Sequence, residues 1–106
     1  MTAIELLQKA RDLLADKRRW TRYTYRAYNY EDGLHSYCMV GAMDQANRRA
    51  LDYCNSTERR RAHEALKDTI KEQYGFTGIV NFNDHPATNH EDVLLVLDKT
   101  IFSLEA

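Results

Sequence analysis

Cys38 is the first candidate for chemistry in this chain. It stands at Tyr37-Cys38-Met39-Val40-Gly41-Ala42, where a helical pattern opens. A thiol in the first turn of a helix feels the positive end of the helix dipole, which favours thiolate. A nucleophilic cysteine also needs a base and a group to orient that base. His85 and His90 are the candidate bases and Asn83 or Asp84 the candidate orienter, an arrangement suited to a cysteine-dependent hydrolase. The competing expectation is a packed thiol, since free cysteine is among the most buried residue types and Tyr37 and Met39 flank this one. Cys54 reads as structural.

A second constellation runs from Lys17 to Tyr30. Arg18, Arg19, Arg22 and Arg26 are interleaved with Trp20, Tyr23 and Tyr25, and Tyr28 and Tyr30 follow. Guanidinium groups on phosphates and rings stacked on bases would suit nucleic acid, and the same surface would suit an acidic protein. The alternative is that these arginines pair with acids of the C-terminal part while the tyrosines form a sheet face. Asn83-Asp84 is a third feature, able to hold a ligand or simply to bond its own turn. His35, Cys38, Asp84, His85, His90 and Glu91 supply ligand types for a metal, but no Cys-x2-Cys or His-x3-His spacing occurs. His63, between Ala62 and Glu64, reads as solvated. Without such ligand spacing no metal is expected, and the absence of both glycine-rich phosphate-loop motifs sets aside nucleotide-dependent enzymes of those designs, so no cofactor is expected either.

These residues must be positioned by a single domain spanning 1–106, because 106 residues leave little room for a second core. Hydrophobic residues at 43% and charged residues at 29% match a folded globular chain. Residues 1–61 carry a balance of +4 and residues 62–106 one of −5, which the net charge of −1 conceals. No apolar run approaches the roughly 20 residues that cross a bilayer. The start lacks the pattern of a secretory signal, and two cysteines without one point to reduced thiols in the cytoplasm.

Thr2 and Glu5 predict a capping box, and Leu6, Leu7, Ala10, Leu13 and Leu14 share one face of the helix it starts. From Trp20 to Tyr30 the period shifts toward two, which predicts a strand, and Asp32-Gly33 predicts a turn. Ser36 is expected to cap a second helix over Tyr37–Tyr53 with Cys54 on its inner face. Within it Gly41 costs roughly 1 kcal/mol of propensity unless a close neighbour requires it. Asn55 caps a third helix with Glu58 in the reciprocal position, and Gly75 stops it. Phe76–Phe82 reads as a brief strand or extended connector, and Asn89 with Asp92 opens a fourth helix. The expected class is α+β: mainly helical, about four helices with a small β-hairpin or two to three short strands.

Trp20 before a tyrosine-rich segment, Cys38-x-x-Gly41-Ala42, and Phe82-Asn83-Asp84-His85-Pro86 leading into Asn89-x-x-Asp92-Val93 occur here together. In this the chain resembles an uncharacterised family of small bacterial and phage proteins. That family pattern has Gly-Arg-Thr where Ala87-Thr88-Asn89 stand here, and usually Trp at Phe82 and Glu at Asp92. The resemblance implies a fold and no settled activity. The expected function is therefore a small binding or regulatory protein acting on an acidic protein or nucleic acid, associated with phage biology. Its amphipathic helices are also compatible with self-association.

Overall fold

A computed structural model describes all 106 residues. Helix α1 (Ala3–Leu13) begins with the capping box: Thr2 Oγ1 accepts from the Glu5 N–H while Glu5 returns an acceptor to the Thr2 N–H. Its buried stripe of Leu6, Leu7 and Ala10 packs against α2 (Met39–Arg49), α3 (Ser56–Tyr74) and α5 (His90–Glu105). Helix α5 carries a second capping box, made by Asn89 and Asp92. Asn55 accepts from the Glu58 N–H at the start of α3, but Glu58 turns to Arg61 rather than back to the cap. Gly75 ends α3 at φ +79°, where a side chain would be strained. Leu6, Met43, Leu66, Phe82, Val93 and Leu97 are sealed in the core between these helices.

The Asp32-Gly33 turn closes a hairpin of β1 (Arg26–Asn29) and β2 (Leu34–Tyr37), in antiparallel register with Tyr28 opposite His35. Gly33, at φ +72°, donates to the Asn29 carbonyl, and Asp32 accepts from the Leu34 N–H. The expected strand over Trp20–Tyr30 is thus only four residues long. Tyr23 sits at φ +70°, in the left-handed region, and this breaks the extended run before it reaches Trp20. Trp20 makes only an isolated bridge to Tyr37, beside the 3₁₀ turn Lys17–Arg19.

Three further expectations are corrected. Helix α2 starts at Met39, not Tyr37, because Ser36 and Tyr37 are spent in β2 and Cys38 becomes the cap. It ends at Arg49, leaving the buried Cys54 in the following loop, where Asn47 accepts from its backbone N–H. Residues expected to be extended form a short helix, α4 (Ile79–Asp84), which tucks Ile79, Phe82 and Asn83 against α2 and α3. The class stands as α+β with a two-stranded hairpin, and the helices number five. No helix is long and apolar enough to cross a membrane.

Candidate functional site

Asn83 is completely buried where α4 ends against the start of α2, and it uses its amide in both senses. Its Oδ1 accepts from Trp20 Nε1 at 2.8 Å and from the Met39 N–H at 3.0 Å. Its Nδ2 donates to the Thr21 carbonyl at 3.0 Å and to Asp84 Oδ1 at 2.9 Å. Two donors on one side and two acceptors on the other fix which end of the amide is which. Asp84 Oδ1 also accepts from the Tyr23 N–H at 2.9 Å, and this contact holds Tyr23 in its left-handed conformation. Asn83 and Asp84 together therefore anchor residues 20–23 across the start of α2.

Gly41 is what lets that segment come so close. A Cβ built there would stand 1.9 Å from the Tyr25 carbonyl oxygen and 2.8 Å from its carbonyl carbon. The close neighbour that would justify a glycine inside a helix is therefore the Tyr25 backbone. Between this segment and α4 lies a cavity of about 310 Å³, lined by Tyr23, Thr24, Tyr25, Cys38, Val80 and Asp84. Two further concavities meet it at Tyr25, one reaching Arg59 and His63 and the other Arg26 and Arg48.

Cys38 lines the cavity yet is only 4% exposed, and its Sγ accepts from the Gly41 N–H at 3.3 Å. Burial pushes its thiol above the ordinary range; the Gly41 and Val40 N–H groups oppose this, and the Asp84 carboxylate adds to it. The helix-terminus effect expected to favour thiolate is thus outweighed by desolvation. His85 and His90 do not line the cavity. His85 Nδ1 accepts from the Ala87 N–H at 3.1 Å, and the ring packs on Phe76 at 5.0 Å between centroids. His90 Nε2 donates to the Leu14 carbonyl at 2.6 Å, since a carbonyl can only accept. The cavity brings Cys38 together with Asp84 and does not bring His85 or His90 to them.

Native Cys38 should consequently react with iodoacetamide at pH 8 at least tenfold more slowly than the same thiol in denatured protein, as peptide-level mass spectrometry would read. Alkylation at the denatured rate would mean that the thiol is ionised and open.

The basic segment divides in two. Arg18 pairs with its neighbour Asp16 at 2.7 Å, holding that carboxyl down to about 2. Arg19 folds inward onto the Asp32 carboxylate and donates to the His35 carbonyl at 3.0 Å. Arg22 lies over the Trp20 ring at 4.6 Å and donates to the Thr88 carbonyl, with its Nε left unpartnered. Arg26 is exposed and makes no ion pair, and the tyrosines face outward: Tyr23 is 74% exposed, Tyr25 64%, Tyr28 48% and Tyr30 90%. The partners of Arg18 and Arg19 are acids of the N-terminal part; only Arg11, with Asp98 on α5, reaches an acid of the C-terminal part.

Sequence reasoning did not reach Thr24 and Val80 as cavity walls, nor Arg48 and Arg59 beside Tyr25. Nothing in the order of residues marks them, because α4 and the path of residues 21–25 decide their place. No group of three or more His, Cys, Asp or Glu side chains is placed to hold a metal ion.

The model of a family described as a family of unknown function (DUF6197) matches residues 1–103. No curated protein and no solved structure matches the chain.

Proposed function

The chain belongs to this family of unknown function, a membership that brings no activity with it, and from its surface we propose that it is a binding module for an acidic protein. The observation that carries the reading is the divided basic segment: four tyrosines stand in solvent while Arg19 and Arg22 hold the segment down from within. Tyrosine offers large contact area at low conformational cost and is enriched at the centres of interfaces. Arg26 and Arg48 share one concavity with Tyr25 and Arg59 shares another; Asp44 lines both and pairs with Arg48, while Arg26 and Arg59 have no carboxylate partner of their own. These cations supply the complementarity to an acidic surface. Nucleic acid fits less well, since most of the segment's arginines are already occupied and few phosphates would be neutralised. Two free, buried cysteines agree with a reduced compartment, and we place the protein in the cytoplasm, with a host or phage component as its partner.

A photo-crosslinking amino acid at Tyr30 should give a discrete protein adduct in cells, absent when the same group replaces Lys99 on α5. Arg26→Glu should then weaken the purified complex by about tenfold, roughly 1.4 kcal/mol. An adduct removed by nuclease, or equal yields from both positions, would overturn the reading.

A further inference from the structure

The geometry points to a second, smaller site: the well beneath Tyr23 and Tyr25 takes an alkylammonium group, either a lysine side chain or a free amine. Its size comes first. At about 310 Å³ it lies at the low end of small-molecule pockets, which span roughly 300–1,000 Å³, so it suits one side chain rather than a cofactor.

Charge then selects the ligand. Besides the Cys38 thiol and the two tyrosines, Asp84 is the only acidic or basic side chain lining the well, and it belongs to none of the molecule's ion pairs. Its Oδ1 is taken by the Tyr23 N–H and Asn83 Nδ2, while its Oδ2 has no hydrogen-bond donor. A cation entering beside Oδ2 would gain a charge-assisted hydrogen bond and two neighbouring aromatic rings, the combination that favours ammonium ligands. Val80 supplies apolar surface for the alkyl stem.

An anion is disfavoured although α2 begins at the floor of the well. The donors there already serve the protein: Met39 N–H goes to Asn83, Gly41 N–H to Cys38 Sγ and Ala42 N–H to the Cys38 carbonyl, while the Val40 N–H, without a hydrogen-bond acceptor, acts on the Cys38 sulfur. Any anion would face the Asp84 carboxylate with no free backbone donor among the first three of these. A divalent metal would find one carboxylate and one protonated thiol, too few ligands for a stable site. The site is also preorganised, because Asn83 is sealed in the core and Asp84 fixes the backbone of Tyr23.

The test requires no natural partner, so its failure is separate from failure of the acidic-partner reading. Amide chemical shifts of the full chain would be followed during titration with n-butylammonium, with N-acetyl-lysine methylamide, and with 1-butanol as the neutral analogue. Both amines should move the Tyr23, Cys38 and Asp84 amides with dissociation constants on the order of 1 mM, and 1-butanol should bind at least tenfold more weakly. Tighter binding of the lysine derivative identifies a polypeptide side chain as the ligand, and tighter binding of the free amine identifies a small molecule. Asp84→Asn, which keeps an acceptor for the Tyr23 N–H, should weaken amine binding at least tenfold. Val80→Trp should abolish it by filling the well, which preserves the test if the Asp84 variant misfolds. Equal binding of 1-butanol and n-butylammonium, or amine binding unchanged in either folded variant, would overturn the proposal.

Discussion

Gly41→Ala should lower the thermal unfolding midpoint by roughly 8–15 °C, from a net loss of about 2 kcal/mol. The added methyl group would stand 1.9 Å from the Tyr25 carbonyl oxygen, an impossible contact, and the atoms it meets are backbone rather than a movable side-chain tip. Overpacking usually costs about 1–3 kcal/mol, and a contact this close with backbone atoms stands at the upper end, about 3 kcal/mol. Alanine would return roughly 1 kcal/mol of helix propensity, and the clash with the Tyr25 backbone exceeds it. Gly78→Ala is the control. Its Cβ would meet only Asn81 Nδ2, at an ordinary 3.8 Å, and the midpoint should move by no more than a few degrees. A midpoint that rises in Gly41→Ala would mean that the Tyr25 carbonyl does not rest on α2.

Asn83→Ala should be more damaging, by about 4 kcal/mol in urea unfolding followed through Trp20 fluorescence. The substitution removes the acceptor of the Trp20 and Met39 N–H groups and the donor to the Thr21 carbonyl. Leaving a buried polar group without a partner costs about 1–3 kcal/mol, and three are affected: the Met39 N–H is buried, and the Trp20 and Thr21 groups are partly buried. Asn83→Asp distinguishes shape from hydrogen bonding. It keeps the size and the acceptor but turns the donor into a second carboxylate against Asp84. At neutral pH it should lose at least as much as the alanine variant. The deficit should narrow as acid protonates one of the two carboxyls, since protonation restores a donor. A loss below about 1 kcal/mol in both variants would show that the amide does not organise this junction.

Local signals were the ones that could be read from residue order. Thr2 with Glu5 and Asn89 with Asp92 lie three residues apart, and their capping depends on nothing beyond the first turn. Gly75 and the Asp32-Gly33 turn are of the same kind. The readings that needed correction depended on distant partners. Tyr23 leaves the extended region because Asp84 receives its N–H, a contact sixty-one positions away in the chain. The six residues of α4 offer too few inward positions to show a helical period, and α2 and α3 supply the reason for its shape. Cys38, Asn83 and Asp84 were recognisable as residue types able to do chemistry, and the place of Asn83, which ties Trp20 and Thr21 to the start of α2, was not. For the arginines, composition suggested an outward-facing ribbon. Direction is set instead by Asp32, Trp20 and Thr88, which draw Arg19 and Arg22 inward.

The anchoring of residues 20–23 on residues 83–88 also bears on the order of assembly. Its side-chain ties join positions 61 to 66 residues apart, so they can form only after a long stretch of chain has been closed. Loop closure on that scale carries an entropic penalty that locally capped helices avoid. The junction is accordingly expected to close late in refolding, so that Asn83→Ala should raise the unfolding rate in stopped-flow measurements while leaving the folding rate nearly unchanged.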